Sequence, residues 1–336
     1  MKEGDIMHAC GYSRWWLIAV FLATISCLTG VSRGGMPPRP SRVAVLTTGT
    51  ITVPIMEGLR EGLTQLGYAE GQTITFMIED TQGAVANLDS HLARLLQAAP
   101  DVIVTIGTAA TVAAKQATTT VPIVFTFVGD PVRSGLVASY ASSKNNLTGV
   151  SNYSGPLAGK RLEILQEIAP RITRVLLLVA PQEIVAEVSF QVLAEVAPKL
   201  GLEFLRQDVT SRADIEQALH ALPKGAVDAI CLVPSSLLVA HADLLIHKAL
   251  DHHIPLAVHE DSLVQQGALV SYGASFQSLG RQAAKSVQKI LHGTPPSALP
   301  IQTPDHMTLA INLATARAIG LTVPRNLLER AEIIIE

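Results

Sequence analysis

The chain has 336 residues, more than one compact domain usually holds, so two lobes are the default expectation. Apolar residues make up 48% of it and charged residues 16%, with Pro and Gly spread along its length, which is a globular composition and excludes a disordered chain. A net charge of -3, only 4% aromatic residues and no Lys/Arg-rich run exclude a phosphate-tracking or base-stacking surface, so nucleic acid is not an expected partner.

The strongly apolar run at 15–25 is about half the roughly 20 residues that a membrane-spanning helix needs. It follows Lys2 and Arg14 and ends in small and polar residues, the order of a secretory signal, so residues 1–40 read as signal peptide and linker and the protein as exported. Met7 is an alternative start, since Glu3 and Asp5 are unusual ahead of such a core. Cys27 closes the stretch Thr24-Ile25-Ser26-Cys27, which resembles the lipobox of bacterial lipoproteins, although Leu is usual where Thr24 stands. Lipid attachment at Cys27 and plain cleavage a few residues later are both open. Cys231, inside the apolar run 229–233, reads as a buried strand residue and not as a nucleophile. Periplasmic or other extracytoplasmic placement follows, with the membrane touched only through that lipid.

After the Pro-rich linker at 36–40, short β-branched runs alternate with longer runs of helical period. Strands are expected at 42–46, 73–79, 101–106, 123–127, 174–179, 203–208, 226–233 and 268–272. Helices are expected at 54–66, 87–98, 109–117, 159–168, 183–199, 211–221, 241–252 and 275–292. Near-continuous apolar strands such as 102–104 and 175–179 belong to sheets covered on both faces. The series has a seam near Asn152, which divides it into two α/β lobes, each a doubly wound parallel sheet, with hinges at 150–154 and 272–275.

In open parallel sheets a ligand sits at the carboxyl ends of the strands, so the loops there hold the candidate binding residues. Thr48 lies in Thr47-Thr48-Gly49-Thr50, ahead of the first helix. Thr108 and Ala109 lie in Gly107-Thr108-Ala109-Ala110, where Thr108 occupies a capping position and the helix N-terminus offers N–H groups to a carboxylate; a plain cap is the competing reading. Asp130, before Pro131, brings a carboxylate that either holds an ammonium or only shapes a turn. Asn152 stands in the crossing segment. In the second lobe Ser235, Glu260 and Tyr272 end strand-like runs, and Asp261 reads as a cap for a helix beginning near Ser262. No P-loop, H-E-x-x-H or G-x-G-x-x-G occurs, so no catalytic residue and no cofactor is expected. His241, His247, His252, His253 and His259 lack ligand spacing and read as a solvated helix face and not as a metal site.

The runs at 104–116 (VTIGTAATVAAKQ), 121–137 (VPIVFTFVGDPVRSGLV), 146–165 (NLTGVSNYSGPLAGKRLEIL), 267–275 (GALVSYGAS) and 311–328 (INLATARAIGLTVPRNLL) resemble the ABC transporter substrate-binding family that includes the TrpX-like lipoproteins. The resemblance covers about residues 42–336 and implies a type I periplasmic binding protein fold, an interlobe ligand cleft, and a permease with its ATPase as partners. It implies that residues 41–151 with about 275–303 form one lobe and 152–274 with about 304–336 the other. It also carries Thr48, Thr108, Asp130, Asn152, Ser235, Glu260 and Tyr272 over as cleft positions. Aromatic amino acid binders of the family carry an Asp soon after the Ser-Tyr-Gly segment, where this chain has Ser275 in that region, so Asp130 or Glu260 would supply the countercharge to an amino group, and a neutral or purely anionic ligand stays open. The implied role is the solute-binding component of an importer for an amino acid or related compound; an exported sensor subunit signalling to a membrane receptor is the alternative.

Overall fold

The computed structural model describes residues 39–49 and 52–336. The expected secretory segment, Cys10, Cys27, Thr50 and the first part of the linker lie outside the described residues.

Two sheets organise the chain. The first contains β1 (Ser41–Thr47), β2 (Ile74–Asp80), β3 (Val102–Ile106), β4 (Ile123–Val128) and β5 (Leu147–Ser151) in the order β2-β1-β3-β4-β5, all parallel. Its helices are α1 (Thr52–Gln65), α2 (Leu88–Gln97) and α3 (Thr108–Ala117). The alternation within β1 shows why its centre, Val43 to Leu46, is apolar throughout. Val43 and Val45 face Ile55, Leu59 and Leu63 of α1, whereas Ala44 and Leu46 face Leu92 and Leu95 of α2. Both faces are buried, at roughly 1.5–3 kcal/mol for each large aliphatic side chain taken out of water.

The second sheet is reached through α4 (Ser154–Ile168) and runs β6 (Arg174–Val179), α5 (Ile184–Leu200), β7 (Glu203–Asp208), α6 (Arg212–Ala221), β8 (Ala229–Cys231), α7 (Ser236–Ala240), α8 (Ala242–Asp251), β9 (Leu256–Val258), α9 (Asp261–Gln265) and β10 (Val270–Ala274). Its order is β12-β11-β10-β9-β8-β6-β7, with β11 (Met307–Asn312) and β12 (Ile333–Ile335) completing one edge. Short helices α11 (Leu313–Ala318) and α12 (Arg325–Leu328) connect those two strands.

Between β10 and β11 the chain leaves the second sheet. The helix α10 (Phe276–Leu291) packs its apolar stripe, Leu279, Ala283 and Val287, into the core cluster that holds β1 and α1. Gln302 then lies beside β5, its amide donating to the Gly149 carbonyl at 2.9 Å, before the chain returns as β11. Arriving from that side, β11 runs antiparallel to β10, with β12 parallel to β11, so the β10–β11 pairing is the antiparallel exception among the described strands. The chain therefore passes between the sheets three times, at Asn152–Tyr153, at Ala274–Phe276 and at 303–306. Hydrogen bonds tie α10 to the third passage: Gln282 donates to the Thr303 carbonyl and accepts from the Asp305 amide, and the Ser278 hydroxyl donates to the Asp305 carboxylate.

The elements follow the expected runs with boundary shifts of a few residues, and three differences have physical causes. The helix expected at 159–168 begins at Ser154, because Tyr153 in the left-handed region, φ 52°, ψ 37°, starts it at the passage between sheets. The apolar run 226–233 yields only three ladder residues. The segment at 147–151, read only as a crossing, is the edge strand β5, paired with β4 across a bulge at Thr126/Val128.

Candidate functional site

The carboxyl ends of β4, β5, β9 and β10 converge with α4 and the start of α10 on one small cavity. Phe127, Asn152, Leu157, Arg161, His259, Gly273, Ala274 and Phe276 line it. Its free volume is about 10 Å³, room for about one water molecule, so an organic ligand is admitted only when its walls separate.

Arg161 is the largest fully buried side chain, 2% exposed. Helix α4 puts it there: Leu157, Ala158, Leu162 and Leu165 are buried on the same stripe, and position 161 falls one turn from 157 and 165. Its Nη1 donates to the Tyr272 carbonyl at 3.1 Å. Burial pulls the guanidinium below its usual range, while the neighbouring Cys231 thiol acts in the opposite sense. Burial likewise pushes the Cys231 thiol up, against the pull of Arg161, which agrees with an inert strand residue.

Polar side chains share this cavity with the cation or adjoin it. Asn152 and His259, each 6% exposed, present Oδ1 and Nδ1 without hydrogen-bond partners among the described residues. Glu260, 4% exposed, has Oε1 at 3.4 Å from His259 Nε2, and its Oε2 takes a weak 3.5 Å hydrogen bond from the Ser262 hydroxyl. The apolar wall is an edge-to-face pair, Phe127 and Phe276, with centroids 5.1 Å apart and planes at 90°. Phe127 holds φ at 58°, a conformation that costs a non-glycine residue about 1–3 kcal/mol and that clusters at ligand clamps.

The structure distributes the expected binding residues unevenly. Asn152 lines the cavity. Glu260 and Tyr272 adjoin it through His259 and through the carbonyl bonded to Arg161. Thr48, half-buried, follows β1 and is not among the lining residues. Thr108 is not the cap of α3: Gly107 takes that position at φ 95°, and Thr108 is the first helical residue with no capping hydrogen bond. The hydroxyl serving that turn is Thr111, which donates to the Gly107 carbonyl at 2.7 Å and meets Thr105 at 2.8 Å. Ala109 packs half-buried against the adjacent core. Asp130 turns its Oδ1 onto the Val132 and Arg133 amides at 3.1 and 3.0 Å. The Ser235 hydroxyl caps α7 and donates to Glu183 Oε1 at 2.9 Å, and the Glu183 carboxylate also accepts from the amides of Ser236 and Leu237.

Arg161, His259, Phe127 and Phe276 were not candidates on sequence grounds. His259 is also not part of a solvated helix face, since it follows β9 and is buried. No group of His, Cys, Asp or Glu among the described residues has metal-holding geometry, and no described helix is long and apolar enough to cross a membrane.

Two parallel-sheet α/β lobes, linked by multiple passages and sharing a polar and aromatic cavity at their strand ends, define the class of bilobed solute-binding proteins. The family model for ABC transporter substrate binding proteins matches residues 42–335, and the chain belongs to that family. A tyrosine-binding protein of Clostridioides difficile (strain R20291) is 26% identical over 265 residues, 79% of this chain and 76% of that one. A conserved domain protein from Vibrio cholerae superimposes with a TM-score of 0.83 at 29% identity, covering 88% of this chain and all of the other. An ABC domain from Streptococcus pneumonia in complex with L-Trp gives a TM-score of 0.82 at 22% identity, with the same coverage. The expected fold of two α/β lobes and the expectation of a solute-binding protein, not an enzyme, are borne out.

Proposed function

We propose that the protein captures an L-amino acid with an aromatic side chain in the cleft between its two lobes and delivers it unchanged to a membrane permease driven by an ATPase. The observation that carries this reading is the composition of one cavity. A buried cation, Arg161, suits a carboxylate, buried acceptors suit an amino group, and the Phe127–Phe276 pair offers aromatic edges and faces to a ring. The relative named for tyrosine and the fold neighbour bound to L-Trp support the same ligand class.

In this reading residues 41–151 with about 275–303 move as one body and 152–274 with about 304–336 as the other. The three passages absorb the rotation, and the water-sized cavity is the closed state. The apolar run at 15–25 exports the chain, and a diacylglycerol on Cys27 would hold it at the membrane beside the permease.

Isothermal titration of the purified protein against the twenty amino acids tests the reading. An aromatic amino acid is expected to bind with a micromolar Kd, about 8 kcal/mol, and mass spectrometry is expected to recover it unchanged. Absence of heat with every aromatic amino acid overturns the ligand class, and a chemically altered ligand overturns the receptor role.

A further inference from the structure

We propose that His259 and Asn152 together form the acceptor pair that takes the N–H donors of the ligand's α-amino group, with Glu260 fixing the histidine tautomer that makes this possible. The inference rests on the amino acid reading above and assigns the part of the cavity that distinguishes an amino acid from a simple carboxylic acid.

The two residues come from different sheets. Asn152 follows β5 in the first passage, and His259 follows β9 in the second sheet, yet both line the same cavity. Each is more than nine-tenths buried, and each presents one polar atom, Oδ1 of Asn152 and Nδ1 of His259, that no group among the described residues satisfies. Buried polar atoms are nearly always paired in folded proteins, so two orphaned ones on one cavity wall point to a partner that arrives with the ligand.

The chemistry of that partner follows from the neighbours. Glu260 Oε1 stands 3.4 Å from His259 Nε2, and a carboxylate at that distance favours the ring proton on Nε2. Nδ1 then carries a lone pair and accepts. The side-chain carbonyl of Asn152 accepts as well. Two acceptors backed by a carboxylate select a donor with positive charge, and an α-ammonium group is such a donor. The guanidinium of Arg161 on the same cavity supplies the opposite polarity, so the two ends of a zwitterion are told apart and its orientation in the cleft is fixed.

Titration calorimetry of the full chain against L-tyrosine, L-tryptophan and L-leucine, each paired with its des-amino acid (3-(4-hydroxyphenyl)propionate, indole-3-propionate and 4-methylpentanoate), tests the proposal. The wild type is expected to prefer the amino acid by about tenfold or more. In His259→Phe that preference is expected to fall toward unity, through weaker binding of the amino acid with the des-amino acid changed by less than about threefold. His259→Gln, which keeps a polar side chain of similar reach, is expected to fold and to retain part of the preference. In protein labelled with ¹⁵N-histidine, the unprotonated ring nitrogen missing from the His259→Gln spectrum is expected to shift on addition of the amino acid and not of its des-amino counterpart. Absence of binding by all three amino acids overturns the amino acid reading together with this one. Binding with no preference for the amino group, or a preference and ring-nitrogen signal indifferent to His259, overturns this inference and leaves the ligand class standing.

Discussion

The guanidinium of Arg161, on α4, donates to the main-chain carbonyl of Tyr272, on β10, at 3.1 Å, and so fixes the helix that follows the first passage against the strand that precedes the second. A buried arginine costs desolvation free energy, which is why burial depresses its proton affinity. Arg161→Met keeps the stem's volume and deletes the charge. Its urea midpoint is expected to be no lower than that of the wild type, because replacing a buried charge by an apolar group of similar shape is often neutral or stabilising. Affinity for the amino acid is expected to fall by about 10- to 100-fold, the loss of about 1.5–3 kcal/mol for a hydrogen bond to a charged group. Equilibrium unfolding and calorimetry on the same samples check both halves.

The contact between α1 and α10 leaves no room for a methyl group. A Cβ on Gly280 would sit 2.0 Å from the Ile55 carbonyl oxygen and 2.7 Å from the Leu59 amide nitrogen, both main-chain atoms that cannot rotate away. Alanine is the better helix former by about 1 kcal/mol, yet Gly280→Ala is expected to destabilise the protein by about 2 kcal/mol or more, since the helices must separate to admit it. A urea denaturation series reads this as a lowered midpoint at constant slope.

The sheets were legible because runs such as Val102–Val104 and Val175–Val179 are buried on both faces and therefore apolar at every position. Short ladders were harder: Ile333–Ile335 and Leu256–Val258 offer three residues each, too few for a period. The site divided along the same line. Asn152 was legible as a polar residue at a crossing. Arg161 was not sought, because the search followed loops at strand ends and Arg161 stands mid-helix. A signal was present all the same, since the apolar stripe Leu157, Leu162, Leu165 and Ile168 places Arg161 on its buried side. The Phe127–Phe276 pair had no such signal. It depends on a bulge in β4 and on α10 crossing back to the first sheet, which no local pattern encodes.

Acid sensitivity has a structural source at Asp228. Burial alone would raise its carboxyl, but hydrogen bonds from the Arg174 side chain, the amides of Arg174 and Thr173 and the Thr173 hydroxyl outweigh that and hold it well below the usual carboxylate range. A carboxyl depressed in the folded state contributes stability above its unfolded pKa of about 3.9 and loses it as pH falls toward the folded value. The wild type is therefore expected to lose about 1–2 kcal/mol from this group as pH drops below about 4. Asp228→Asn is expected to be less stable at pH 7 by a similar amount and to show a flatter stability profile below pH 4. Urea midpoints measured from pH 7 to pH 3 decide this.

Asp130 and Asn152 were both candidate ligand contacts, and their surroundings now separate them. The Asp130 carboxylate accepts two amide hydrogen bonds of its own turn, and its Oδ2 lies 3.6 Å from Arg133 Nε. Its removal resembles the loss of a cap, so Asp130→Ala is expected to lower stability by about 1 kcal/mol. Ligand affinity should then change by less than about threefold, since its oxygens are already engaged. Asn152 Oδ1 has no such engagement, and its main-chain amide keeps its bond to the Val128 carbonyl whatever the side chain. Asn152→Ala removes an unsatisfied buried acceptor, so stability is expected to hold or rise slightly while affinity for the amino acid falls about tenfold. Thermal melting and titration of the two variants side by side would show opposite signatures, stability lost without affinity in one and affinity lost without stability in the other. Equal loss of affinity in both would return Asp130 to the ligand's immediate surroundings and require the cleft to close around that loop.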